Sequence, residues 1–339
     1  MDEIKPIINK LVNNTDLSTV EIEHLFTKIM SGEATPAQIG SVLTSLRMKG
    51  ETIDEITGAA KIMRHFSTKI PVKSQDDLLD TCGTGGDGSN TFNISTAAAI
   101  TAASCGIRVA KHGNRSVSSK CGSADVLKEL GANLEITPEK VGQCVDEVGI
   151  GFLFAPLLHG SMKYAIGPRR ELGIRSIFNV LGPLTNPAGA KNQLMGVFSH
   201  KLVKPIASVL NNLGAKKVMV VHGSDGLDEI TTTGKTLVCE YTSGKEKEWE
   251  LNPEDFGIEL AQSKDLIGGE IKENAEIIKA IFSGEKNAKS DIVVLNAGAG
   301  IYVAGGAQSI EEGIKLAKQA IESGKAAEKL QQLIDFTNS

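Results

Sequence analysis

Residues 83–88 read Gly-Thr-Gly-Gly-Asp-Gly and run into Ser89-Asn-Thr-Phe-Asn-Ile-Ser-Thr96. A glycine loop that leaves a strand and enters a helix aims unpaired N–H groups and the helix dipole at an anion. Four glycines in six residues exceed the needs of a turn, so the reading is a phosphate cradle. Asn93, Ser95 and Thr96 stand where the helix begins and can either cap it or bind a ligand. The loop formally matches G-x-G-x-x-G, but a dinucleotide site expects an acid about 20 residues on. Here the next strand runs into Lys111-His-Gly-Asn-Arg115, and cations replace that acid. A Walker A loop is absent as well, since Glu229 occupies the place of the first glycine before Gly234-Lys235-Thr236.

Lys111 to Ser119 form a second constellation, with Lys111, Arg115, Ser118 and Ser119 as donors to phosphate oxygens. In a parallel sheet the second strand-to-helix loop emerges at the same carboxyl edge as the first, so both can face one crevice. Asp228 and Glu229 follow the strand Lys217 to Val221 in a glycine-bearing loop. Adjacent acids there can hold Mg²⁺ while substrate phosphates complete its shell. Side chains on an extended strand diverge to opposite faces, so both serve one ion only if the chain bends. His159 to Arg170 and Gly173-Ile-Arg175 offer arginines that could fork onto a carboxylate. Pro183 and Pro187 make the following turn rigid.

The elements that must position these groups are legible in outline. Ser18 with Glu21, Thr35 with Gln38 and Thr52 with Glu55 have capping-box spacing, and Ile22, Leu25, Phe26, Ile29 repeat at helical intervals. The first 70 residues are therefore predicted to be helical, with a joining segment from Ser67 to Asp77. From there strands at Asp77 to Cys82, Ile107 to Lys111, Gly151 to Ala155, Gln193 to Phe198 and Lys217 to Val221 alternate with helices, the first at Ser95 to Cys105. Leu237 to Thr242 and Lys247 to Leu251 read as a hairpin, and the tail from Asp291 as mostly helical. The fold class is α/β: a small all-helical N-terminal domain plus a larger α/β domain with a central, mostly parallel sheet flanked by helices. With 339 residues against a typical domain of about 150, two domains are expected.

Composition narrows the function classes. Net charge is −5 and aromatics are 4%, which argues against a generic nucleic-acid binder or a base-stacking platform. The five scattered cysteines form no C-x-x-C pair, so a zinc ribbon or thioredoxin motif is excluded. No signal peptide and no run of about 18 apolar residues is seen, and the expectation is a cytoplasmic protein without membrane contact.

Taken in order, Gly40 to Gly50, G-T-G-G-D-G, N-I-S-T, K-H-G-N-R, G-P-L-T-N-P and G-L-D-E resemble the anthranilate phosphoribosyltransferases of tryptophan biosynthesis over nearly the whole chain. The resemblance implies a homodimer that uses two Mg²⁺ ions per subunit. It implies a helical domain of residues 1–70 plus roughly 163–185, and an α/β domain of 71–162 and 186–339. It places Gly83, Gly86, Asp87, Thr91, Asn93, Ile94, Ser95 and Thr96 around phosphoribosyl pyrophosphate. Lys111, His112, Gly113, Asn114, Arg115, Ser116, Val117, Ser118, Ser119 and Ser123 would complete that site. Ser95, Asp228 and Glu229 would serve the metal, and Gly83, Asn114, His159 and Arg169 would contact anthranilate, with Arg169 opposite its carboxylate. The chain departs from the family's H-H-P-A-M-K at Leu158-His-Gly-Ser-Met-Lys163, where one histidine of the pair remains.

The reaction implied is transfer of phosphoribose to the anthranilate amine with loss of pyrophosphate. An aromatic amine is largely unprotonated at neutral pH, so no residue is assigned as a general base, although His112 is a candidate. A pyrimidine nucleoside phosphorylase, which resembles this family in fold, and a non-catalytic nucleic-acid-binding relative are the alternatives.

Overall fold

The computed structural model describes residues 3–116 and 120–339. Four helices open the chain: α1 (Ile4–Val12), α2 (Thr19–Met30), α3 (Pro36–Lys49) and α4 (Ile53–Phe66). All three anticipated capping boxes form, each satisfying two backbone N–H groups that a helix start leaves unpaired. The periodic residues Ile22, Leu25, Phe26, Ile29, Ile39, Val42, Leu43 and Leu46 are all buried.

Strand and helix then alternate: β1 (Leu78–Gly83), α5 (Ile94–Ser104), β2 (Arg108–Gly113), α6 (Ser123–Glu129), α7 (Pro138–Glu147) and β3 (Ile150–Phe154). A helical excursion follows through α8 (Ala155–Leu158), α9 (Lys163–Leu172) and α10 (Phe178–Leu181). The chain returns to β4 (Asn192–Gly196), α11 (Val203–Asn212), β5 (Lys217–Gly223), β6 (Thr236–Thr242) and β7 (Lys245–Leu251). It ends in α12 (Ile271–Phe282), α13 (Ala288–Val303), α14 (Ile310–Glu322) and α15 (Lys325–Asn338). One seven-stranded sheet results, in the order β3-β2-β1-β4-β5-β6-β7. It is parallel from β3 through β5 and antiparallel across β5, β6 and β7.

The hairpin turn is tighter than the apolar pattern indicated. Ser243 and Gly244 both have positive φ, 49° and 82°, so β7 starts at Lys245. A two-residue turn of this hand matches strand twist. The first strand residues, Lys245 and Glu246, are exposed and carry no apolar signal. Helix α12 was likewise not anticipated, because its start follows a glycine pair, Gly268-Gly269, that reads as loop.

On one sheet face α5 and α13 pack side by side against the strands and against each other, and the alanines of α5 are buried on every side. The other face is covered by α11, whose core is continuous with that of α1–α4. Ala165, Phe178, Leu181 and Leu184 belong to this second core, so the excursion after β3 packs among the N-terminal helices. Arg64 of α4 ties the same region together, donating to the carbonyls of Leu184 (2.7 Å) and Leu213 (3.2 Å).

Candidate active site at the carboxyl edge of the sheet

The chain proceeds outward from β1 to β2 to β3, then returns to lay β4 on the other side of β1. Loops leaving β1 and β4 therefore diverge, opening a crevice at their carboxyl ends, the usual ligand position in open parallel sheets. The G-T-G-G-D-G loop leaves β1 at this point. Asp228 lies across the crevice, its Oδ2 accepting the Gly85 N–H at 2.7 Å. A Cβ on Gly83 would overlap Asp228 Oδ2 and sit 2.9 Å from its Cγ, while one on Gly196 at the end of β4 would overlap the Asp228 carbonyl. Glycine at both strand ends is therefore a spatial requirement.

Asp228 and Glu229 occupy a bend after β5, the geometry needed for both to serve one centre. Asp87 approaches them: its Oδ2 accepts the Asp228 N–H at 3.4 Å, and it also accepts from the Ser89 backbone and hydroxyl. Burial, then the neighbouring Asp87 carboxylate, raises Asp228 above the usual carboxylate range. Burial, then Asp228, does the same to Glu229, opposed by Lys111 and by a hydrogen bond with the Ser95 backbone.

Helix α5 starts without a side-chain cap. Asn93 instead donates to the Cys121 carbonyl at 3.1 Å and accepts from Asn274 at 3.3 Å. Thr96 Oγ1 is buried without a partner among the described residues. Thr91 forms a bridge with Ile267, and Ile94 is buried as an apolar anchor. The first N–H groups of α5 are engaged locally, Ile94 by the Phe92 carbonyl (2.7 Å), Thr96 and Ala97 by the Asn93 carbonyl (both 3.1 Å) and Ser95 by Glu229, so the unpartnered group at this helix start is the Thr96 hydroxyl.

Lys111 lies beneath the loop rather than in solvent, 3% exposed, bonded to the Thr81 carbonyl and to Ser95 Oγ (3.2 Å). Burial lowers its pKa, and Asp80 opposes that shift. The His112 N–H donates to Asp80 Oδ1 at 3.1 Å, and its ring bonds the Gly182 backbone and meets His159 Nε2 at 3.1 Å. Gly113 leaves no room for a Cβ beside Ser123 and Phe152. Asn114 accepts from Arg115 N (2.7 Å) through its side chain and from Ser123 Oγ (3.3 Å) through its carbonyl. Arg115 stacks 5.5 Å from the Phe154 ring, and Ser116 N donates to Asp125. Val117, Ser118 and Ser119 lie outside the described residues.

On α9, Arg169 stacks on Phe178 at 4.9 Å. Burial alone lowers its pKa, and no acid balances its charge among the described residues. His159 is 8% exposed and turned inward onto His112. Sequence reasoning missed one group. Asp80, fully buried on β1, receives Asn186 Nδ2 at 2.8 Å as well as the His112 N–H, and so locks the K-H-G-N-R loop to the G-P-L-T-N-P turn. An acid in the interior of an apolar strand was the available signal. Arg175, one of the arginines offered as a carboxylate fork, instead turns its guanidinium to the glycine loop.

Among the described residues no three His, Cys, Asp or Glu side chains form a ready-made metal cage. Asp228, Glu229 and the Ser95 hydroxyl nonetheless supply hard oxygen donors, and burial together with the neighbouring acids raises both carboxyls, a penalty that a bound cation would relieve. That suits Mg²⁺, which commonly takes a few protein oxygens and completes its shell with water and substrate phosphate.

Comparison with known proteins gives the same picture. The glycosyl transferase family's helical bundle domain matches residues 5–67 and its a/b domain residues 75–327. An anthranilate phosphoribosyltransferase from Acetivibrio thermocellus is 57% identical over 99% of this chain and 97% of its own length. The crystal structure of an anthranilate phosphoribosyltransferase from Thermus thermophilus superposes with a TM-score of 0.94 at 41% identity, covering all of both chains. The Saccharomyces cerevisiae enzyme in complex with PRPP and Mg superposes with a TM-score of 0.91 at 30% identity, over 99% of this chain and 98% of that one. With likeness of this extent in sequence, in both domains and in backbone, the chain belongs to the anthranilate phosphoribosyltransferase family of glycosyl transferases.

Proposed function

We propose that this chain transfers the 5-phosphoribosyl group of phosphoribosyl pyrophosphate to the amine of anthranilate, releasing pyrophosphate. The observation that carries the reading is the wedging of Asp228 between Gly83 and Gly196, which brings acids, glycine-loop amides and the start of α5 to one crevice. Departure of pyrophosphate builds charge on the leaving oxygens while the ribose ring oxygen spreads positive charge from C1′. The N–H groups of Gly86, Asp87 and Gly88, without protein partners among the described residues, are the donors that receive that negative charge, with the α5 dipole behind them. Asp228, Glu229 and Ser95 would hold Mg²⁺, which when bound neutralises the diphosphate.

In this reading Arg169 forks onto the anthranilate carboxylate, with Asn114 and Gly83 as further contacts, so that the amine meets C1′ in line. His112 is held neutral by burial and by His159, its pKa lowered to about 3. It serves to orient the loop, and no proton need be removed before the aromatic amine attacks. In this reading the helical unit of residues 1–70 and 163–185 carries the acceptor side, supported by the core that Ala165 and Phe178 share with α2–α4. A homodimer with two Mg²⁺ ions per subunit in the cytoplasm completes the proposal.

The test is loss of anthranilate fluorescence on mixing purified protein, anthranilate, phosphoribosyl pyrophosphate and Mg²⁺. Omission of any one component should abolish it. No consumption with all four present, or phosphorolysis of thymidine instead, would reject the assignment.

A further inference from the structure

Arg175 leaves the helical excursion between α9 and α10 and extends to the glycine loop, where Nη2 donates to the Gly86 carbonyl at 2.5 Å. Its guanidinium is held over the Phe198 ring at 4.4 Å, just beyond β4. The bond falls on one particular peptide, that joining Gly86 to Asp87. Every peptide of the described chain is trans, so the carbonyl of Gly86 and the N–H of Asp87 point in opposite directions. With the carbonyl fixed on Arg175, the N–H is turned to the other side of the loop. The N–H groups of Gly86, Asp87 and Gly88 have no protein partner among the described residues, whereas Gly85 N–H is already engaged by Asp228. Gly86 itself has φ of +75°, a conformation that leaves this peptide free to flip unless something holds it.

We propose that Arg175 is a positioning residue that, through the Gly86 carbonyl, orients the Asp87 N–H toward the diphosphate of the sugar donor. The inference rests on the phosphoribosyl-transfer reading of this crevice. Asp228 holds the loop from one side at Gly85, and Arg175 holds it from the other at Gly86. Arg175 also comes from the same segment that carries Arg169, six positions earlier. Readiness of the donor cradle is thereby tied to placement of the acceptor-binding segment, so the two substrate sides are set by one stretch of chain. Phe198 contributes by restricting the long side chain, which lowers the entropy lost in making the bond.

The experiment compares Arg175→Met, Arg175→Gln and Phe198→Leu with the unaltered protein. Affinity for Mg²⁺-phosphoribosyl pyrophosphate is measured by calorimetry without anthranilate, and kcat and both KM values by the fluorescence assay. Loss of one hydrogen bond from a charged donor predicts about a tenfold rise in KM and Kd for the sugar donor in Arg175→Met. The change in kcat should stay within about threefold. Arg175→Gln, which keeps an amide donor without charge, should recover most of the affinity, and Phe198→Leu should shift it the same way by less. Unchanged donor affinity in Arg175→Met would overturn the proposal, as would a rise confined to the anthranilate KM. A Gln variant as weak as Met, with reduced salt dependence, would instead mean direct charge on the phosphate and would also overturn it. Thermal melts identify any variant that loses donor affinity by failing to fold, and Phe198→Leu then decides. Donor binding without transfer in the unaltered protein would sink the enzymatic reading while leaving the calorimetric test in force.

Discussion

Asp228 is confined by the absence of side chains at Gly83 and Gly196, and that confinement makes the crevice sensitive to single atoms. Gly83→Ala is expected to displace the Asp228 carboxyl and reduce kcat/KM by about 100-fold, consistent with angstrom-scale misplacement of a catalytic constellation. The melting curve should fall as well, because the added Cβ overlaps the buried Asp228 carboxyl. Asp228→Asn combined with Glu229→Gln removes the charge that would hold Mg²⁺. Turnover at limiting Mg²⁺ should fall by about 100-fold or more, and rates equal to the unaltered protein's would remove these acids from the metal. Arg169→Ala should raise the anthranilate KM by about ten- to a hundredfold through loss of a charge-assisted hydrogen bond. The donor KM should stay put, and steady-state kinetics with each substrate varied separates the two. Residues of this kind were readable because glycine clusters and paired acids are rare combinations. Asp80 was not, since its partners Asn186 and the His112 N–H come from segments 106 and 32 positions away.

At the scale of elements, helix starts carry local information and strand pairing carries little. Thr52 accepts the Glu55 N–H while Glu55 reaches back to the Thr52 N–H, and Glu55, fully buried, also receives Leu17 N and Lys49. Thr52→Ala should therefore cost about 1 kcal/mol, measured as a shift in urea midpoint, with substrate constants unchanged. The three capping boxes lie within four residues each, which explains why the first helices were legible with close boundaries. By contrast α12 follows Gly268-Gly269, and its place is fixed by Asn274, which accepts the Gly269 N–H and donates to Asn93 just before α5. The bond to Asn93 joins segments 181 positions apart, so no local signal announces it.

Considered whole, the molecule stores a pH dependence where two regions meet. His112 on β2 and His159 after α8 are buried with facing Nε2 atoms, and burial lowers them to about 3 and about 4. A single proton between the facing nitrogens suits the neutral pair, with the other side of the His112 ring bonded to Gly182. Histidines depressed in the folded state take up protons preferentially when unfolded. Their contribution to stability is full above about 6.5, the unfolded value, and is lost as pH falls toward about 4. Urea midpoints at pH 7 and pH 5 should show this loss, and His159→Gln should show a smaller difference between the two. An equal difference in both proteins would mean that other groups carry it.

The sequence alone determined the kinds of chemistry available and the local elements that bear them: a glycine cradle for an anion, adjacent acids for a cation, capped amphipathic helices and apolar strands. Each of these depends on neighbours within a few residues, where side-chain type and spacing already set the physics. Tertiary structure alone decided which pieces meet. The return of β4 beside β1 opened the crevice, Asp228 was seated in space that two distant glycines leave empty, and Arg175 was brought to the Gly86 carbonyl. Such encounters depend on the packing of the whole core, because a contact between residues scores of positions apart has no energy until the elements carrying them are in place.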